Sequence, residues 1–341
     1  MEFKVLAGEG VADASVSGRS MRAVLLAGLA ALALGGCCVG TGAPQTSLRL
    51  LVTEDFGTVQ VRELDGPASS ASDTVLRLLQ RNATVETRGG GSVQSIEGRA
   101  AGRENGRAYG WFFYVNGVAA EQGAAAVKVR PSDRIWWDRH VVGARQRVPA
   151  VIGSFPEPFL HGYDGNRLPT RLECTEPRSP QCTAAGRRLA EVGVVAGKGG
   201  LQTSLSKETN RIIAGVYRAI RNDETVRNLE NGPSASGVYV RPAPDGRTID
   251  VLDERGRVAR TLGPGAGLIA ATRFEGDRPV WIVTGTDEAG VLAAANALRE
   301  GDLGGKFALG IADGQAVDVP LVPRRATGGT GATGAGGATG G

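Results

Sequence analysis

The dipeptide Asn116-Gly117 is the strongest turn signal in this 341-residue sequence, and a valine stands on each side of it. A type I′ turn requires positive φ at both central residues, which Gly adopts freely and Asn tolerates. The sequence therefore predicts a tight β-hairpin whose first strand covers residues 109–115.

Short strand patterns and one helix surround this hairpin. Strands are predicted at residues 48–53, 58–64, 93–97 and 134–142, and a helix is predicted from an N-cap at Asp73 to Asn82. The order of two strands, a helix and further strands predicts a small β-grasp-like α+β domain over residues 47–142.

Residues 148–324 show a different pattern, in which helices and strands alternate. Helices are predicted at residues 183–192, 208–221 and 286–298, the last capped by Thr286, and strands at residues 237–241, 249–252, 258–262, 268–274, 280–284 and 307–311. Strand, helix and strand succeed one another between residues 280 and 311, so some parallel pairing is expected. We therefore predict an α/β domain with a mixed sheet, in which the glycine-rich residues 197–200 form a flexible loop.

Aromatic side chains are concentrated in two of the predicted strands. Seven rings lie there: Tyr109, Trp111, Phe112, Phe113, Tyr114, Trp136 and Trp137. Alternation along a strand places rings on both faces, whereas a sheet with one face in water needs only one apolar face. Either the second face packs on the helix or the following domain, or it offers a stacking surface to a flat ligand. The ligand hypothesis assigns binding to Tyr109, Trp111, Phe112, Tyr114, Asn116, Trp136 and Trp137.

The same region resembles a known family. The residues that carry the resemblance are Trp111, Tyr114 to Gly117, Ala124 to Val129, Ser132, Asp133, Ile135 and Trp137. They are similar to DUF4430, a domain of unknown function that is similar to the C-terminal domain of transcobalamin, with Ser132-Asp133 where that family usually has Gly-Asp. The resemblance implies a secreted or surface domain, often found in lipoproteins, and makes a cobalamin-type ligand the first candidate. No other cofactor is expected.

An apolar run, Ala23–Leu34, follows shortly after Met21. It is shorter than the ~20 residues that span a bilayer, and its layout is typical of the apolar region of a secretory signal. The four residues that end at Cys37 read Leu-Gly-Gly-Cys and resemble a bacterial lipobox, in which the cysteine is lipidated. We therefore predict a signal region at residues 1–36, a lipidated tether at residues 37–46, and anchoring on the extracytoplasmic face of the cell membrane.

Three further predictions concern the two chain ends and the cysteines. Met21 is an alternative start, because the acidic residues that precede it are atypical of a secretory signal. Cys174 and Cys182 are predicted to form a disulfide in an oxidising compartment, which leaves Cys38 acylated, oxidised or free. Residues 325–341 consist almost entirely of Gly, Thr and Ala and are predicted to be a disordered tail.

The remaining chemistry of the sequence is sparse. Its 39 basic and 35 acidic residues are interspersed, so no basic stripe indicates nucleic-acid binding. With only two histidines, His140 and His161, a metal site is not expected.

The first functional hypothesis is non-catalytic capture of a small ligand by a membrane-anchored lipoprotein. The second is a structural or protein-interaction component of the cell envelope, and the third is an envelope hydrolase that uses His161 with Glu157, Asp164 or Glu173.

Overall fold

A computed structural model describes residues 48–143, 148–201, 208–273 and 278–323, all of which belong to one compact unit. The predicted signal region, the lipidation site Cys37, the tether and the tail at residues 325–341 lie outside the described residues. Within the described ranges, no helix combines the length and the apolar character needed to cross a membrane. The fold is a mixture of α and β structure with several mixed sheets, as predicted.

The first part of the structure (residues 48–143) is built mainly from strands. Its elements are β1 (Arg49–Glu54), β2 (Val59–Asp65), α1 (Val75–Asn82), β3 (Val85–Arg88), β4 (Ser92–Ile96), β5 (Arg99–Ala100), β6 (Gly102–Glu104), β7 (Arg107–Val115), β8 (Val118–Ala119) and β9 (Arg134–Val141). The main sheet has the order β2-β1-β9-β7-β6, with β8 paired to β7, and β3-β4-β5 form a smaller sheet. Strands β1 and β9 are parallel, while β9 and β7 are antiparallel.

The predicted hairpin is confirmed. Asn116 and Gly117 have φ of 52° and 77°, and Val115 pairs with Val118. Strand β8 ends after two residues, so the chain leaves the sheet and returns only at β9. The intervening residues 120–133 are held against α1 by backbone hydrogen bonds, among them those from Val75 N to Val127 O (2.9 Å) and from Leu76 N to Ala124 O (3.0 Å).

Helix α1 begins one residue later than predicted. Its N-cap is Thr74, whose hydroxyl accepts a hydrogen bond from Arg77 N (3.3 Å), and not Asp73. The Asp73 carboxylate is buried and instead accepts hydrogen bonds from Ser70 N (2.8 Å) and Arg81 Nη2 (3.0 Å). The hydrogen bond from Arg81 lowers the pKa of Asp73. Both residues therefore support the helix start, but only one occupies the cap position.

The second part (residues 148–323) contains the larger sheet. Its elements are β10 (Thr170–Cys174), α2 (Pro180–Glu191), β11 (Ala196–Gly200), β12 (Asn210–Val216), α3 (Tyr217–Ile220), α4 (Glu224–Arg227), α5 (Pro233–Ser236), β13 (Val240–Pro242), β14 (Ile249–Leu252), β15 (Val258–Leu262), β16 (Gly267–Thr272), β17 (Val280–Gly285), α6 (Glu288–Asn296), α7 (Glu300–Leu303), β18 (Ala308–Ala312) and β19 (Gln315–Val319). The seven-stranded sheet has the order β11-β10-β12-β17-β16-β18-β19, and β13-β14-β15 form a separate antiparallel sheet.

The large sheet is mixed, as predicted. Strands β11, β10, β12 and β17 are parallel, while β16, β18 and β19 add antiparallel pairs. The predicted strand, helix and strand at residues 280–311 correspond to β17, α6 and β18. These two strands do not pair directly, because β16 lies between them and is antiparallel to both.

Two local predictions in this part are wrong. Residues 210–216 form the central strand β12 and not a helix, because Ile212 and Ile213 are fully buried between the neighbouring parallel strands. Only Tyr217–Ile220 of the predicted helix is helical. Residues 197–200 are not a loop but part of edge strand β11, which pairs along its whole length with β10.

One hydrophobic cluster spans the two parts, beside further clusters within each part. Phe56, Tyr114 and Trp136 of the first part belong to the same buried cluster as Tyr239 and Phe307 of the second. The two main sheets still fall on either side of the boundary proposed between residues 142 and 148. The division into separate domains therefore stays a prediction, since the parts pack together through this shared cluster.

The predicted disulfide between Cys174 and Cys182 is confirmed. Cys174 ends β10, and Cys182 lies in the first turn of α2, where Ser179 caps the helix by accepting a hydrogen bond from Cys182 N (3.2 Å). Both cysteines are buried. The bond therefore fixes the start of this helix to a strand of the large sheet.

Removing this disulfide is expected to destabilise the chain moderately. For two cysteines eight positions apart, the loss of chain-entropy restriction in the unfolded state corresponds to about 2–3 kcal/mol. The double variant Cys174→Ala/Cys182→Ala should show this decrease in urea unfolding, and a reducing agent should then have no further effect. An unchanged unfolding midpoint would contradict a structural role for the bond.

Candidate functional site

A cleft of about 540 Å³ lies between the two parts of the structure. The first part contributes Val115, residues 120–122, residues 126–128 and Arg130, most of them from the segment between β8 and β9. The second part contributes Tyr163, Asp164, Glu208, Arg273 and Arg278. We refer to this cavity as the cleft. Its volume lies within the ~300–1,000 Å³ that is common for small-molecule sites.

Arg273 connects the two walls of the cleft. It follows β16, and its side chain is 6 % exposed. Its Nη2 atom donates hydrogen bonds to Ala119 O (3.0 Å) and to Glu121 Oε1 (3.2 Å) on the opposite wall. Its guanidinium carbon also lies 6.0 Å from the centre of the Tyr163 ring. The width of the cleft is therefore set by a contact between the two parts.

Asn116, predicted to bind a ligand, is buried beneath this region and fully engaged. Its Nδ2 atom donates to Asp133 Oδ1 (2.9 Å) and to Gly162 O (2.8 Å), and its Oδ1 atom accepts from Arg134 N (2.8 Å). Burial raises the pKa of Asp133. Because Gly162 directly precedes Tyr163, Asn116 positions one wall of the cleft but does not reach into it.

The aromatic strands do not form an open stacking surface. Trp136, Trp137, Tyr109 and Tyr114 are buried, and Trp111 and Phe112 are half-buried. Trp111 Nε1 donates to Arg99 O (3.0 Å), and Phe112 stacks on His140 with ring centres 4.2 Å apart. None of these residues lines the cleft. Their burial gives no support to the prediction that they bind a flat ligand together with Asn116, because one face of the aromatic strands packs against the second part.

Trp136 is the centre of that packing. Its ring lies 5.1 Å from the ring of Phe307 and 5.7 Å from that of Tyr114, and its Nε1 atom donates to Thr53 Oγ1 (2.7 Å). Gly57 and Gly153 approach it so closely that a Cβ atom on either would lie 3.2 Å or 2.6 Å from the indole. The indole is therefore enclosed by both parts.

A buried polar pair that sequence reasoning missed lies beside this indole. Asp138 accepts hydrogen bonds from Thr53 Oγ1 (2.5 Å), Phe56 N (3.1 Å) and Gly57 N (2.9 Å), and one of its oxygens lies 2.7 Å from His140 Nδ1. Residues 136, 138 and 140 share one face of β9, which is the signal that could have identified them. The pair fixes the loop after β1 against β9 and is closed to solvent.

Two residues of the hydrolase hypothesis, His161 and Glu157, form a close pair outside the cleft. His161 Nδ1 lies 2.5 Å from Glu157 Oε1, but neither residue lines the cleft. Asp164 does line it, while Glu173 is buried elsewhere and binds Arg211 (3.0 Å). Among the residues that the structure describes, no group of three or more His, Cys, Asp and Glu side chains could hold a metal ion.

The N-terminus of α6 is occupied by its own side chain. Asp287, and not Thr286 as predicted, is the N-cap, since its Oδ1 atom accepts a hydrogen bond from Gly290 N (2.9 Å). Its Oδ2 atom accepts another from Gly265 N (2.7 Å). Thr286 Oγ1 instead accepts from Ala266 N (3.1 Å). The helix start is therefore capped by a side chain, as predicted, but by the residue after Thr286.

The cap should make the stability of the chain depend on pH. The backbone hydrogen bond from Gly290 lowers the pKa of Asp287 below 3.8. The ionised cap therefore stabilises the fold above pH ~4, and this contribution is lost as the pH falls through the lowered pKa. We expect Asp287→Ala to decrease the free energy of unfolding by about 1–2 kcal/mol at pH 7 and by less at pH 3. An equal decrease at both pH values would contradict this assignment.

Comparison with known proteins identifies one domain. Residues 72–140 match DUF4430, described as a domain of unknown function. The chain therefore contains the DUF4430 domain that was predicted from its sequence. The matched residues include the segment from β8 to β9 that forms one wall of the cleft. A search of curated proteins finds no match to the chain.

Proposed function

We propose that this DUF4430-containing chain captures a small molecule in the cleft without changing it chemically, while Cys37 anchors it to the extracytoplasmic face of the membrane. The observation that carries the proposal is the cleft itself, which has a volume of about 540 Å³ and walls from both parts of the structure. Such concave sites between structural units are common places for ligands. Hydrogen bonds of Arg273 and Asn116 join the two parts on which the walls of the cleft lie.

Two observations support the proposed location. The Leu-Gly-Gly-Cys sequence ending at Cys37 resembles a lipobox, and the Cys174–Cys182 disulfide is typical of a protein in an oxidising compartment.

Detergent phase partitioning tests the proposed lipid anchor at Cys37. The full chain should enter the detergent phase and its Cys37→Ser variant the aqueous phase, whereas equal partitioning of the two would contradict lipidation.

The proposal favours capture over the other two hypotheses. The structural hypothesis has the aromatic face dock the second part or another protein, and that face does pack against the second part. It requires no cavity, however, whereas the cleft has the volume of a small-molecule site. A hydrolase would need His161 and carboxylates beside a bound substrate, but His161 and Glu157 lie outside the lining of the cleft. The resemblance keeps a corrinoid as the first ligand to test, although the expected stacking surface is closed.

Isothermal titration calorimetry of the full chain tests the capture. Cyanocobalamin, hemin, flavin mononucleotide and chitotriose serve as probes. Ala126→Tyr fills the cleft, and Ala125→Tyr is the matched control because Ala125 is also exposed but does not line it. We expect saturable binding of one probe in the wild type and the control, and its loss in Ala126→Tyr. Binding that survives in Ala126→Tyr, or no binding of any probe, would contradict capture in the cleft and favour a structural role.

A further inference from the structure

We infer that the ligand of the cleft is an anion with a compact apolar or aromatic body, and that Lys128 and Arg278 bind its phosphate or carboxylate group. This inference rests on the proposed function and adds the chemical class of the ligand. Lys128 belongs to the first part of the structure and Arg278 to the second. A bound anion would therefore contact both walls of the cleft.

Some of the charges that line the cleft already neutralise one another. The cleft is lined by four cationic side chains and three carboxylates. Arg273 contacts Glu121 at 3.2 Å, and Arg130 lies 3.6 Å from Asp164. The third carboxylate, Glu208, has an interaction of its own. Among the residues that the structure describes, neither Lys128 nor Arg278 forms an ion pair.

Lys128 and Arg278 occupy defined positions in the walls of the cleft. The backbone of Lys128 forms a β-bridge with Thr74, and the neighbouring Val127 accepts a hydrogen bond from the first turn of α1, so the base of the lysine side chain is fixed. Arg278 is half-buried just before β17. A partly desolvated guanidinium binds planar oxyanions through paired hydrogen bonds, and a lysine ammonium adds a point charge.

The cleft also offers apolar surface for the rest of the ligand. Val115, Val127 and the ring of Tyr163 supply apolar surface within the same cleft. Arg273 lies close to the Tyr163 ring and already donates hydrogen bonds to Ala119 and Glu121. We therefore assign it to orienting the wall that contains Tyr163 and not to binding the anion. The combination suits a molecule with one charged end and one apolar end.

Calorimetry with three small probes of similar shape tests the inference. Phenyl phosphate and benzoate carry the two candidate anionic groups, and benzyl alcohol is their neutral counterpart. We expect at least one of the anions to bind about tenfold or more tightly than benzyl alcohol, as one charge-assisted contact implies. The preferred anion identifies the group, and its binding should weaken as salt is added.

Substitutions of Lys128 and Arg278 test whether these two residues bind the anion. Lys128→Gln and Arg278→Gln should each weaken binding of the preferred anion about tenfold, and neither should change binding of benzyl alcohol. Lys198→Gln is the matched control, because Lys198 is exposed on β11 and does not line the cleft.

Equal binding of all three probes, with loss of all three in Ala126→Tyr, would overturn the anion assignment and leave capture intact. Anion binding that is unaffected by both glutamine variants would overturn it as well. If none of the three probes binds, the anion inference fails, while capture is decided by the wider panel.

Discussion

Replacing Trp136 with alanine is expected to lower the free energy of unfolding by about 3–5 kcal/mol. The indole is 1 % exposed and contacts the rings of Phe307 and Tyr114. The substitution leaves a large cavity and removes the hydrogen bond to Thr53 Oγ1 (2.7 Å). Because this cavity lies at the contact between the two parts, the loss should affect the whole cooperative transition.

Urea unfolding followed by circular dichroism measures this effect. Val258→Ala is the control, since Val258 is 53 % exposed and its truncation should change stability by less than about 0.5 kcal/mol. A Trp136→Ala protein of wild-type stability would contradict the packing and would restore Trp136 as a residue free to contact a ligand.

Gly57→Ala is expected to destabilise the chain by about 3 kcal/mol or more, through backbone strain and overpacking together. Gly57 has φ of +82°, and a Cβ atom there would lie 1.9 Å from Gly305 O and 3.2 Å from Trp136 Cζ2. The obstructing atom at Gly305 is backbone, so it cannot move aside as a flexible side chain would. The contact between the first and second parts would have to open.

Gly66→Ala separates the two causes of that effect. Gly66 has a similar φ of +67°, but a Cβ atom there would have no neighbour within 4 Å. Its substitution should cost only the backbone strain, about 1–2 kcal/mol. The difference between the variants in the same unfolding assay isolates the contact with Gly305. Equal destabilisation by both substitutions would show that the two parts do not approach at Gly57.

Features set by neighbouring residues were predictable from the sequence. Asn116-Gly117 determines its turn because the need for positive φ is local. The helix at residues 75–82 followed from its apolar periodicity, and the Cys174–Cys182 disulfide followed from two cysteines separated by a short loop. The α+β character of the chain was the sum of such signals.

Features set by distant residues were not predictable in the same way. Residues 210–216 can be read as an apolar helix until β10 and β17 are known to pair on either side of them. The glycine-rich β11 becomes a strand only because β10 provides its hydrogen-bonding partner. Local propensity is overridden by tertiary context in both segments.

The candidate site shows the same limit. The sequence shows an unusual concentration of aromatic residues around Trp136. It does not show that Phe307, some 170 residues further along the chain, packs against them. The cleft residues also come from distant segments, and Lys128 and Arg278 become neighbours of one cavity only through the fold. The sequence also shows His140 but not its buried partner. The pairing with Asp138 could be predicted only from the position of both residues on one face of β9.

Native mass spectrometry tests the capture of a small molecule in the cleft most directly. The full chain, Ala125→Tyr and Ala126→Tyr would each be incubated with a small-molecule cell extract and then sprayed under non-denaturing conditions. The account expects one added mass on the wild type and on Ala125→Tyr, and none on Ala126→Tyr, whose larger side chain fills the cleft. The same bound mass on all three proteins, or no bound mass on any of them, would contradict it.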